Sequence, residues 1–352
     1  MKPAKATVEG LRQHNRRIVL RSLFTGAAAT RAELAVHTGL TKPTVSTLIS
    51  ELIDEGLVRE GEPGRSTRSG GKRPTLLEFS PDSRQVIGLS ATDAGLLGVL
   101  SNLGGVRSAL HRVSLQGGDV PTRALLEATA SLVAQLDAPL ACIGLGLPGS
   151  GGAEQAARLK REFGVNVYRG NQAELTALGQ LAFARGNGGS GSNGASGGNG
   201  ETSVVDRLVT LLLDDRVEIG VCLASGALHY GSELTDLVAW PDGQAPAGDE
   251  LTLLELRHAA RNGDADALAK IDSVAQRLAA PLAWIAATLK PDEVSLGGRL
   301  SALGEPLLEA LARRAFDGAP EVPRLSLTYS AQLGAMGAVA LAIQSELGAL
   351  RP

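Results

Sequence analysis

Aromatic residues make up only 3% of this sequence, so its core has to be packed from Leu, Val, Ile and Ala. Cysteine occurs twice, as Cys142 and Cys222, too few for a disulfide framework or an all-cysteine zinc site. No apolar run approaches the roughly 18–20 uncharged residues that a membrane span needs. Residues 1–10 lack the pattern of a signal peptide. These absences point to a cytoplasmic protein with no membrane partner. The 352 residues are 43% hydrophobic and 20% charged, a composition that supports a buried core. At about 100–200 residues per domain, the length predicts two or three domains.

The net charge of −3 is unevenly spread. Residues 1–85 hold fourteen Lys and Arg against nine Asp and Glu, whereas the remainder holds twenty against twenty-eight. A basic head on an acidic body predicts a polyanionic partner for the head alone.

Three helical patterns fill the head. Over 11–24, Leu11, Ile18, Val19, Leu20 and Leu23 alternate with Arg12, Arg16, Arg17 and Arg21, which reads as an amphipathic helix with a basic face. Thr30 is a good N-cap with Glu33 completing a capping box, and Gly39 stops this second helix. Thr41 caps a third, with Pro43 in its first turn, where a missing N–H costs nothing. Its apolar positions Val45, Leu48, Ile49, Leu52 and Ile53 form one face, and Gly56 ends it.

Ala35, Gly39 and Val45 stand in the register of a helix-turn-helix, whose second helix enters the major groove. Thr41, Lys42, Pro43, Thr44, Ser46 and Thr47 then lie at the groove-facing start of that helix. They are the candidate DNA-contacting residues there. Strand patterns at 57–60 and 75–79 flank a Gly-rich tip carrying Arg65, Arg68, Lys72 and Arg73. This is a wing able to reach phosphates or the minor groove. The expected partner is a double-stranded DNA operator, bound by a homodimer or higher oligomer to match a pseudo-palindrome.

From residue 85 the pattern becomes α/β, with strands at 86–89, 98–103 and 141–147 and helices at 124–136, 172–184, 251–260 and 264–289. Four segments are more particular. The wing ends in Gly70-Gly71-Lys72-Arg73-Pro74-Thr75-Leu76-Leu77, followed by Ser80-Pro81. A strand runs into a loop at Ile143-Gly144-Leu145-Gly146-Leu147-Pro148-Gly149. A late strand ends in a glycine pair at Pro291-Asp292-Glu293-Val294-Ser295-Leu296-Gly297-Gly298. A Gly/Ala helix starts at Leu333-Gly334-Ala335-Met336-Gly337-Ala338-Val339.

In this order, behind a winged helix, they resemble the ROK family of repressors and sugar kinases. The resemblance implies an α/β chain with an N-terminal winged helix-turn-helix over 1–82. An actin-like ATPase body of the ROK sugar-kinase type would follow over 83–352.

The same resemblance shows where the family's chemistry is missing. Its first phosphate hairpin has an acid and a Gly-Gly-Thr turn, where this chain has Ser90, Thr92 and Asp93. Its catalytic segment registers with Gly170-Asn171-Gln172-Ala173-Glu174, placing Gln172 at the general-base position. An amide cannot take a proton from a sugar hydroxyl. Its glycine-rich second phosphate loop falls on Asp214-Asp215-Arg216-Val217-Glu218-Ile219-Gly220. The segment that would supply zinc ligands falls near Val238–Pro241, which holds none, and no Cys cluster follows. No catalytic residue, cofactor or metal site is therefore expected. Arg169, Asn171, Gln172 and Glu174, beside the old sugar site, are left as candidates for an effector pocket. They could equally be surface residues.

Residues 186–200 contain eight Gly, three Ser, three Asn and one Ala, so 186–202 is expected to be a disordered loop. Two functions of different classes fit the chain. One is a regulator, in the sense of a repressor, whose inactive kinase-like body serves for dimerisation and possible sensing. The other is a sugar or amino-sugar kinase with an added head.

Overall fold

A computed structural model describes residues 8–27, 29–63, 74–92, 95–115, 120–147, 152–183, 205–214, 217–223, 228–234, 250–328 and 331–348. The wing tip with Arg65, Arg68, Lys72 and Arg73 lies outside them, as do Asp93, Asp215 and the Gly/Ser/Asn run.

The head consists of α1 (Val8–Phe24), α2 (Arg31–Thr38), α3 (Lys42–Asp54), β1 (Val58–Pro63) and β2 (Thr75–Phe79). Caps set its boundaries. The Thr30 hydroxyl accepts the Glu33 N–H at 3.2 Å. The Glu33 carboxylate reaches back to the N–H of Ala29, one residue before the cap, at 2.9 Å. Gly39 ends α2 at φ 70°, a left-handed conformation that glycine adopts without strain. Strands β1 and β2 pair antiparallel. Phe79 meets Phe24 edge-to-face with ring centroids 5.0 Å apart.

The anticipated basic face of α1 is largely consumed inside the molecule. Arg12 pairs with Glu51 and Arg16 with Glu55, each at 2.5 Å, binding α1 to α3. Arg17 donates to the carbonyl of Ser345 at 3.4 Å. Arg31 pairs with Glu60 and Arg59 with Glu78.

The body holds two five-stranded sheets wired alike. The first contains β3 (Gln85–Thr92), β4 (Gly95–Asn102), β5 (Arg107–Val113), β6 (Leu140–Gly146) and β7 (Asn166–Gly170), in the order β5-β4-β3-β6-β7. The second contains β8 (Arg207–Leu213), β9 (Val217–Leu223), β10 (Leu228–Glu233), β11 (Glu293–Gly297) and β12 (Arg324–Leu327), in the order β10-β9-β8-β11-β12. In each, three antiparallel strands are extended by two parallel ones.

Helices α4 (Thr122–Val133) and α5 (Ala153–Phe163) cover the outer face of the first sheet, burying Leu125, Leu132 and Leu159 against Ile87, Leu89 and Ile143. Helices α7 (Glu250–Arg261), α8 (Ala265–Leu289) and α9 (Glu305–Phe316) cover the second.

Between the sheets lie α6 (Gln172–Phe183) and α10 (Ala331–Leu347), packed on each other. Both are apolar nearly all round because both are buried on two sides. Two glycines permit this. A Cβ on Gly144 of β6 would collide with the backbone of Ala338 in α10, and one on Gly337 with the carbonyl of Leu175 in α6.

One apolar cluster runs from the head into the body. Val19, Leu20, Leu34, Ile49 and Leu77 belong to the same buried group as Val86, Val99, Ile343 and Leu347. Leu103 N–H donates to the carbonyl of Pro81, and Asn102 to Asp82, holding the connecting segment against β4. Among the described residues no helix is long and apolar enough to cross a membrane.

Candidate functional site

Two regions carry the candidate residues. The first is the outside of α3. Its inner face buries Val45, Leu48, Ile49 and Leu52. Thr41, Lys42, Pro43, Ser46, Thr47 and Ser50 are exposed. Thr44 is half-buried. Its hydroxyl pairs with that of Thr41 at 2.9 Å, and its N–H donates to Thr41 at 3.4 Å, so both threonines serve the helix cap. Ser50 carries no signal that sequence reading used, although it lies one helical turn beyond Ser46 on the same face.

The second region is a cavity of about 440 Å³ between the two sheets. Leu145, Leu147, Gly152, Arg169 and Gly170 line it from the ends of β6 and β7 and the start of α5. Asn171 and Glu174 enter from the start of α6, and Gly231, Ser232 and Glu233 from β10. It sits outside the carboxyl ends of parallel strands, where open α/β sheets place their ligands.

Of the four residues proposed for it, Arg169, Asn171 and Glu174 line the wall and Gln172 does not. Asn171 and Glu174 are a capping box. The Asn171 side-chain oxygen accepts the N–H groups of Ala173 and Glu174, and the Glu174 carboxylate accepts the N–H of Asn171 at 3.1 Å. The other Glu174 oxygen meets Nδ1 of His229 on β10 at 2.5 Å, tying the start of α6 to β10.

Gln172 is buried behind this wall. Its amide Nε2 donates to the carbonyls of Ala91 and Gly146, and its Oε1 accepts from the Ser90 hydroxyl at 2.9 Å. Three bonds thus join α6 to the ends of β3 and β6. The position that the resemblance registers with the kinase base holds a buried, hydrogen-bonded amide.

On the opposite side, Asp214 occupies the glycine pair at the end of β11. Its carboxylate accepts the N–H of Arg299 at 2.5 Å, and a Cβ on Gly298 would touch its oxygens. The backbone donor that follows this glycine pair is taken by the chain's own carboxylate.

Two cysteines are too few for a zinc site built on a cysteine cluster. Cys142 and Cys222 are buried on β6 and β9. Burial pushes the Cys222 thiol up to about 12 and raises Cys142 as well, so both are inert. Among the described residues no three His, Cys, Asp or Glu gather as metal ligands.

Two family models match parts of the chain. The MarR family matches residues 18–69 and the ROK family residues 186–345. The xylose repressor of Caldicellulosiruptor bescii is 27% identical, over 86% of this chain and 87% of that protein. The xylose repressor of Bacillus subtilis is 25% identical over about half of each chain, 48% and 49%.

Among solved structures, a ROK family transcriptional regulator described as a homologue of the E. coli MLC protein superposes with a TM-score of 0.69. It is 18% identical, over 96% of both chains. A ROK family glucokinase from Streptomyces griseus gives 0.52 at 17% identity, over 74% of this chain and 99% of that one. A winged helix-turn-helix ahead of an actin-like body is therefore the architecture, with a segment of the head matching the MarR family and a segment of the body matching the ROK family.

Proposed function

We propose that this protein is a DNA-binding transcriptional repressor of the ROK type, acting in the cytoplasm as a homodimer, whose kinase-like body performs no phosphoryl transfer. The observation that carries the reading is the outer face of α3. It is a polar stripe on a winged helix, left exposed while the inner face is fully packed. In this reading residues 1–82 are the DNA-binding unit and residues 83–352 the body. Lys42, Pro43, Ser46 and Thr47 are its candidate DNA contacts, with Arg65, Arg68, Lys72 and Arg73 on the wing.

The test is binding of the full chain to randomised duplex DNA, with enriched sequences remeasured over a salt series. Removing one phosphate-contacting cation lowers the slope of log K against log salt by about one. Lys42→Ala is expected to do so. Arg12→Ala is expected to leave the slope unchanged, because Glu51 already holds that guanidinium. Absence of any enriched sequence would overturn the reading.

Engagement of Gln172 and the Asp214 carboxylate at the glycine pair support an inactive body. A coupled assay with ATP and glucose, N-acetylglucosamine or N-acetylmannosamine is expected to show no sugar phosphate. Steady turnover would restore the kinase reading.

The cavity between the sheets is the proposed effector site, with Arg169, Asn171 and Glu174 on its wall and Gln172 fixing that wall from behind. Its size suits one small polar molecule. The relatives' name puts an aldopentose first among the candidates.

A further inference from the structure

The stripe that α3 presents to the groove is unusual in what it omits. Pro43, Ser46, Thr47 and Ser50 follow one another at helical spacing, and all four are exposed. None can make the paired hydrogen bonds by which Arg reads guanine or Asn and Gln read adenine. Along the flank Arg12 is bound to Glu51 and Arg16 to Glu55, and the exposed Lys42 in the first turn is the phosphate contact of the reading above. The Thr44 hydroxyl is paired with that of Thr41.

What remains is three short hydroxyls, those of Ser46, Thr47 and Ser50, and two small apolar groups, the Thr47 methyl and the Pro43 ring. A stripe this low lets the helix backbone sit deep in the groove. There the feature that a methyl and a pyrrolidine ring can distinguish is the 5-methyl of thymine.

We propose that α3 identifies its operator chiefly through thymine 5-methyl groups, packed against Thr47 and Pro43, with Ser50 as a further base-reading residue beyond Ser46. The inference rests on the DNA-binding reading above and adds its chemical basis. A methyl-reading helix distributes its discrimination over several weak contacts. A bidentate reader concentrates it in one or two base pairs.

The experiment takes the sequence enriched by the full chain and replaces each thymine in turn with deoxyuridine, which removes only the 5-methyl. Burying one methyl group gives a factor of about four in affinity. At one or more thymines of each half-site, uracil is therefore expected to weaken binding about three- to tenfold. Thr47→Ser keeps the hydroxyl and deletes the methyl. It should weaken binding to the thymine operator similarly and reduce the uracil penalty at its own position to below twofold, as a double-mutant cycle requires for a direct contact. Ser50→Ala, selected afresh, should lose preference at one base pair.

Uracil effects within twofold at every position would overturn the proposal. A penalty that persists unchanged in Thr47→Ser would overturn the assignment to Thr47. Failure to enrich any sequence would be a different result, since it would remove the repressor reading itself.

Discussion

Replacing Gln172 by glutamate is expected to cost about 3–5 kcal/mol of folding stability, the range for a buried charge left without a partner. The amide gives hydrogens to two carbonyls, those of Ala91 and Gly146, and takes one from Ser90. A carboxylate of the same shape would present oxygen to both carbonyls at a position only 5% exposed. Thermal melts should show a fall in Tm of roughly 5–10 °C.

The effect carries a pH signature. Burial and the facing carbonyls would raise the pKa of the new carboxyl above its unfolded value, so the variant's deficit is smallest below that value, near the ordinary 4.3 of glutamate. It grows as pH rises through the raised folded pKa. A deficit independent of pH would show that the charge plays no part. Gln172→Leu, which cannot ionise, should show the pH-independent loss of the three bonds alone.

A larger effect is expected at Gly337→Val. Helices α6 and α10 touch backbone to backbone, and a Cβ at residue 337 would fall on the carbonyl of Leu175. Neither helix can retreat, because α10 is pinned against Gly144 of β6 on its other side. The substitution is therefore an overpacking event against backbone, expected to exceed the usual 1–3 kcal/mol and to leave little folded protein. Gly318→Asn supplies the contrast. Its backbone is left-handed at φ 71°, yet nothing lies within 4 Å of a new Cβ, so a cost of at most about 1 kcal/mol is expected. Urea denaturation of both variants would measure the difference, and comparable stabilities would overturn it.

How much of this could be seen in the sequence depended on how far each cause lies from its effect. The head was legible almost residue by residue, since Thr30, Glu33, Gly39, Thr41 and Pro43 act within one helical turn of themselves. Helix α5 and strand β7 escaped notice. Ala156, Leu159 and Phe163 do recur at helical spacing, so α5 left a local signal. Helix α10 shows no amphipathic period because it has no wet side, and its glycines mark it only by resemblance.

At the candidate site the outcome divides the same way. The Asn171-x-x-Glu174 capping box is a local signal and could have been found. The burial of Gln172 could not, since its acceptors at Ala91 and Gly146 lie 81 and 26 residues away. The pairing of Arg12 and Arg16 with Glu51 and Glu55 spans 39 residues in both cases. What reads as a basic face is a set of internal ties, and a count of charges alone overstates what the head offers to DNA.

The apolar cluster that joins Val19 and Leu20 to Ile343 and Leu347 has a consequence for how such a protein can change over generations. A head attached by a slack tether could be exchanged between regulators by a single recombination, carrying its sequence preference with it. This one is set into the body through Arg17, Ser345 and the end of α10. Transplanted alone, it would arrive with an apolar flank made to fit a helix from the far end of another chain. Head and closing helix therefore have to be inherited together, although more than three hundred residues separate Arg17 from Ser345 in the sequence.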